Sequence, residues 1–125
     1  TDLSMVMIKH AQKRTNDPRA RFVCDAVPSE VNDYTFASGT FNLKMSQEDK
    51  LWEDYIKTTL LDLWSLTRKG MAFNILRNDA EKKFKGLFYT DGLSLLHFLQ
   101  TSISPNVIMQ NDRPLPDWSF FIRRV

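Results

Sequence analysis

Three short segments carry side chains that could do chemistry. Each lies where a predicted strand stops. The first is Asp25-Ala26, the second Ser38-Gly39-Thr40-Phe41-Asn42, and the third runs from Asn74 to Asn78. In open α/β sheets ligands bind beyond the carboxyl ends of the strands. A carboxylate there can accept hydrogen bonds from sugar hydroxyls or from a purine amino group. A glycine there lets a ligand come close to the backbone. Each feature alone has an ordinary structural reading, because Asp after a strand is also a common cap or turn residue.

Other chemistries find little support. There is no GxGxxG and no Walker loop. There is no GxSxG elbow. The two histidines, His10 and His97, fall inside predicted helices without a matching Cys or carboxylate set, so no metal site is expected. They read as surface or boundary residues. The single cysteine, Cys24, has no partner for an internal disulfide. A reducing, cytoplasmic compartment follows. Within Phe22-Val23-Cys24 that thiol reads as buried apolar filler.

Composition sets the frame for these residues. The chain has 125 residues, room for one domain. It is 42% hydrophobic and 26% charged, with four Gly and five Pro, which excludes a disordered or low-complexity chain. Seventeen basic and fifteen acidic residues leave a net charge of +2, too little to argue for nucleic acid. The clusters Lys82-Lys83-Lys85 and Arg123-Arg124 read as solvated surface. No run of 18 apolar residues is present, so no transmembrane helix is expected, and no signal-peptide pattern is visible.

The elements that must position the candidate residues can be read from periodicity. Ser4 is an N-cap for a helix that places Met5, Ile8 and Ala11 on one face, and Asn16-Asp17-Pro18 ends it. Ala20 to Cys24 is a short predicted strand. Asp33 to Ser38 is a second, terminated by Gly39. Ser46-Gln47-Glu48-Asp49 resembles a capping box ahead of the strongest helix. Trp52, Tyr55, Ile56, Leu60, Leu63 and Trp64 form its apolar stripe, which reads as core. Glu53 and Lys57 make an i,i+4 pair on its outside. Gly70 is expected as its C′ residue. Met71 to Leu76 suits a strand covered on both faces. Asp91 caps a further helix with Leu95, Leu96, Leu99 and Ile103 inward, stopped by Ser104-Pro105. Val107 to Met109 and Trp118 to Val125 are two last strands, antiparallel for want of a helix between them, with Gln110 to Asp117 as their loop. Such alternation predicts an α/β layered sheet with a terminal antiparallel hairpin.

Taken together, these segments resemble a known family. TDLS with its amphipathic helix, then RFVCDA, DYTFASGTFN, a long helix and GMAFNIL, is similar to a class I S-adenosylmethionine-dependent methyltransferase. LFYTD with its helix and the final WSFFIRRV fit the C-terminal half of that family. The resemblance covers essentially the whole chain and rests on order and spacing. It implies one domain over residues 1–125 with a Rossmann-like sheet, incomplete at the N-terminus. It also implies S-adenosylmethionine as cofactor.

The resemblance assigns roles by position. The family has an acidic residue ending the second strand that binds ribose hydroxyls, and Asp2 matches it. A second acidic residue, after the third strand, meets the adenine amino group. Asp25 matches it, with Ala26 offering its backbone. The segment ending the fourth strand lies beside the methionine portion and the reacting methyl, and Ser38, Gly39, Phe41 and Asn42 occupy it. Phe41 and Asn42 are the substrate-side candidates, with Asn42 orienting the acceptor. No general base is named.

One departure matters. The family opens with a strand and a glycine-rich loop, and neither precedes Asp2 here. In the usual strand order 3-2-1-4-5-7-6, their loss would separate the RFVC strand from the FAS strand by about 10 Å. Three arrangements would resolve that gap. The chain is a truncated piece of a longer enzyme, with a GxGxG-like turn about 20 residues before Thr1. Or the RFVC strand pairs directly with the FAS strand. Or a second chain fills the gap, as a homo-oligomer or strand-swapped dimer. The expected activity is methyl transfer to a small-molecule acceptor, without nucleic acid or membrane. The alternative is a non-catalytic methyltransferase-like interaction module, which the missing glycine loop favours.

Overall fold

A computed structural model describes residues 1–111 and 114–125. In chain order the elements are α1 (Met5–Arg14), β1 (Asn32–Ala37), α2 (Asp49–Ser65), β2 (Thr67–Leu76), α3 (Gly92–Ser102), β3 (Val107–Asn111) and β4 (Asp117–Arg123). The four strands form one open sheet in the order β1-β2-β4-β3. β1 and β2 are parallel, joined through α2. β4 inserts antiparallel between β2 and β3. The expected mixed α/β sheet with a terminal antiparallel hairpin is therefore present. Part of the expected hairpin loop, Asp112-Arg113, lies outside the described residues.

The core fills one face of this sheet. Alternate strand residues, among them Ala37, Met71, Phe73, Ile75, Phe120 and Ile122, point towards Ile56, Leu60 and Leu63 of α2 and Leu95 and Leu99 of α3. Leu60, Leu99, Ile75 and Phe120 are fully buried. Removing that apolar area from water is the main stabilising term. Phe73 stacks on Phe120 with ring centroids 5.2 Å apart.

The helix ends explain which expectations hold. Ser4 caps α1, its Oγ accepting from Met7 N, and Asp91 caps α3, accepting from Leu93 N. The Glu53–Lys57 pair forms at 2.5 Å. The capping box at Ser46 to Asp49 does not form. Glu48 is the N-cap of α2 without a side-chain bond, and Asp49 instead pairs with Lys44 at 2.9 Å.

Gly70 does not close α2 either. It lies inside β2, where an added Cβ would sit 3.0 Å from Ile122 O. The helix stops earlier because other groups take its last carbonyls. Thr67 Oγ1 donates to Leu63 O, and Arg124 Nη2 donates to Trp64 O. A cation at a helix C-terminus is also favoured by the dipole. Arg124 is thus a structural clamp, with its guanidinium 4.4 Å from the Trp64 ring. At the mouth of the same turn Asp33 pairs with Lys69 and Arg68. The hydrogen bond from Lys69 holds the Asp33 carboxyl below its ordinary range.

The first expected strand is absent. Ala20 to Cys24 makes no ladder. With no neighbour to satisfy its backbone, the segment lies against the N-terminus instead. Asp2 N donates to Val23 O at 3.1 Å, and Cys24 Sγ lies 3.4 Å from Leu3 O. It therefore does not pair with β1, contrary to one of the three expected arrangements. Cys24 is exposed, not buried, because no core reaches this segment. His10 and His97 are exposed on α1 and α3, as expected.

Candidate functional site

A cleft of about 650 Å³ opens beside β1 and past its carboxyl end. One wall is β1 and the turn that follows it, through Thr40. The opposite wall is the N-terminal segment and residues 25–28. Trp52 and Tyr55 of α2 form a third side. Their rings lie 4.9 Å apart and tilted at 33°. The volume is within the range of about 300–1,000 Å³ usual for ligand sites.

Local chemistry shapes each wall. Ser38-Gly39 ends β1 in a tight turn, and Gly39 takes φ +68, a left-handed conformation that favours glycine. Asn74 of β2 holds that turn from the side. Its Oδ1 accepts from Gly39 N at 2.8 Å, and its Nδ2 donates to Ser38 Oγ at 3.3 Å. On the opposite wall the Asp2–Val23 bond ties the N-terminus to the segment that carries Asp25. Asp2 Oδ1 accepts from Ser4 N, which leaves its second oxygen free. Asp25 Oδ1 accepts from Ala26 N at 2.7 Å. The Ala26 N–H therefore reaches a ligand only when Asp25 turns aside.

The cleft is acidic. Asp2 and Asp25 line it, and no Lys or Arg side chain does among the described residues. Such a lining offers acceptors to hydroxyl, amino and cationic groups. It offers no counter-charge to phosphate.

Among the described residues, no group of three or more His, Cys, Asp or Glu is placed to hold a metal ion. No helix among them is long and apolar enough to cross a membrane.

No family model matches the chain, and no solved structure matches it. A curated protein of Mycobacterium tuberculosis strain H37Rv does, under the name "Putative methyltransferase Rv1506c". It is 31% identical over 126 residues, which span 98% of this chain and 76% of that protein. The chain belongs to this methyltransferase family.

The methyltransferase chain brings together five of the seven residues singled out in the sequence. Asp2, Asp25, Ala26, Ser38 and Gly39 all line the one cleft. Phe41 and Asn42 are not among its lining residues. Phe41 is fully buried and meets Phe73 edge-on at 5.9 Å. Asn42 is half-buried and joins two loops: its Oδ1 accepts from Leu76 N and its carbonyl from Phe88 N. Sequence reasoning assigned Trp52 and Tyr55 wholly to the core, yet both reach the cleft. Trp52 does both, since its Nε1 donates to Phe41 O at 2.8 Å. The available signal was that both rings carry a polar atom at the start of the stripe, which suits a boundary position better than a wholly buried one.

Proposed function

We propose that this chain performs S-adenosylmethionine-dependent methyl transfer to a small-molecule acceptor, with the cofactor held in the cleft beside β1. The observation that carries the reading is the convergence on one cleft of Asp2, Asp25, Ala26, Ser38 and Gly39, which come from three separate segments. The strand order β1-β2-β4-β3 supports it too. It corresponds to the 4-5-7-6 half of the class I sheet, including the antiparallel strand inserted near the end.

The chemistry of the cleft fits this cofactor. A sulfonium and a ribose diol suit carboxylates, and the absence of Lys and Arg from the described lining disfavours phosphate-bearing cofactors. When bound, S-adenosylmethionine supplies an electrophilic methyl group. The protein's part is binding and alignment. The free oxygen of Asp2 accepts from the ribose hydroxyls. Asp25 turns from Ala26 to take the adenine amino group, which frees the Ala26 N–H for a ring nitrogen. Ser38 and Gly39 border the methionine end, and Trp52 and Tyr55 wall it from water. The same lining, with a net charge of only +2, gives no footing for a phosphodiester acceptor. An exposed free thiol at Cys24 fits a cytoplasmic setting.

Amide NMR locates the binding. Adding S-adenosylhomocysteine should shift the Ala26, Ser38 and Gly39 amides and leave Leu99 unmoved. Asp25→Ala should weaken the titration at least tenfold without lowering Tm. Unmoved cleft amides, or full affinity in Asp25→Ala, would overturn the assignment.

A further inference from the structure

Two loops beyond the carboxyl ends of β1 and β2 are tied together. One follows the turn after β1 and runs through Leu43, Lys44 and Met45. The other is residues 82–88, between β2 and α3. Leu43 and Leu87 form an isolated antiparallel bridge. Gly86 O accepts from Lys44 N at 3.0 Å and from Met45 N at 2.9 Å. Tyr89 Oη accepts from Phe84 N at 2.7 Å and fixes the second loop. The tie holds Met45 at φ +57, the one positive φ outside glycine among the described residues. That conformation is costly for a long apolar side chain. Yet the tied loops turn their apolar side chains outward. Met45 is 67% exposed, Phe84 65% and Leu43 57%. Lys82, Lys83 and Lys85 flank Phe84 in the sequence, and Glu81 is the one acidic residue between Ala80 and Thr90. None of the three lysines forms an ion pair among the described residues. Lys83 Nζ instead lies 5.6 Å from the centre of the Tyr89 ring.

We propose that these tied loops dock the protein on an anionic lipid surface. Phe84 and Met45 enter the interfacial layer of the lipid. The ammonium groups of Lys82, Lys83 and Lys85 stay among the anionic headgroups, on stems that are themselves apolar. The composition separates this partner from others. Lysine is depleted at interfaces between proteins, whereas cations beside exposed apolar side chains are the pattern of lipid-surface binding. A small soluble anion would leave Phe84 and Met45 unexplained. It would also lack an enclosure, since the three lysines line neither the cleft beside β1 nor the pocket between α2 and α3. The backbone ties present the apolar side chains already in place, which spares the cost of ordering the loops on contact. Leu43 also lines the cleft, so docking brings that rim of the cleft to the lipid. The inference rests on the loops alone and does not depend on the cofactor assignment.

Co-sedimentation of the purified chain with vesicles tests this. Vesicles of phosphatidylcholine with about 30% phosphatidylserine, at about 1 mM lipid and low salt, should carry down most of the protein. Pure phosphatidylcholine vesicles should carry down little, and salt at about 0.5 M should release what is bound. Changing Lys82, Lys83 and Lys85 together to Glu should weaken binding by about a hundredfold or more. Phe84→Ser should weaken it at least about fivefold. All these side chains stand outside the core, so the circular dichroism spectrum should not change. Val6→Ser, at an equally exposed apolar position on α1, should bind as the parent does. Protein left in the supernatant with both vesicle types would overturn the proposal. So would equal binding to the two types, full binding by either loop variant, or a loss in Val6→Ser as large as that in Phe84→Ser.

Discussion

Asn74 is the residue that connects the sheet to the cleft. It sits on β2, yet both its amide atoms hold the Ser38-Gly39 turn after β1. Asn74→Ala removes two hydrogen bonds at a partly exposed position, so the fold should lose only about 1 kcal/mol. The turn would lose its lateral support, and affinity for S-adenosylhomocysteine should fall about tenfold, roughly 1.4 kcal/mol. Calorimetry beside thermal melting separates the two effects. Unchanged affinity would mean that the turn keeps its shape unaided. The place of Asp25 at the cleft could be anticipated from residue type and position, and that of Asp2 from the family resemblance. That of Asn74 could not, because it depends on a contact 35 residues away in the chain. Phe41 shows the reverse. Its segment looks functional, but the chain turns back after Gly39 and aims the ring at Phe73.

At the scale of elements, periodicity located the three helices among the described residues and four of the five expected strands; all but α1, where Ile8 alone is buried and the expected inward Met5 is exposed, put an apolar face on the core. It failed at Ala20 to Cys24, where the pattern is strand-like but no neighbouring strand completes a ladder. It also failed at Gly70, where the glycine serves close strand packing against β4 and the helix end is made by Thr67 and Arg124. A different glycine controls how α3 docks. Gly92 opens α3, and a Cβ added there would lie 2.7 Å from Trp118 Nε1 and collide with the end of Met109. Met109 can move, but Trp118 is pinned between the core and the Arg77 guanidinium, 4.9 Å from its ring. Gly92→Ala should therefore destabilise by about 1–3 kcal/mol, although alanine is the better helix former. A denaturant melt with unchanged or increased stability would show that α3 can tilt away freely.

For the whole molecule, the covered face of the sheet carries the core, and the carboxyl side of β1 carries the proposed cofactor site. Family membership says methyltransferase, and the cleft beside β1 is the proposed cofactor site. The most direct measurement is calorimetric titration of this chain with S-adenosylhomocysteine. The account expects saturable one-to-one binding with a dissociation constant of about 1–100 µM. Heats indistinguishable from dilution, with the chain folded by circular dichroism, would contradict it.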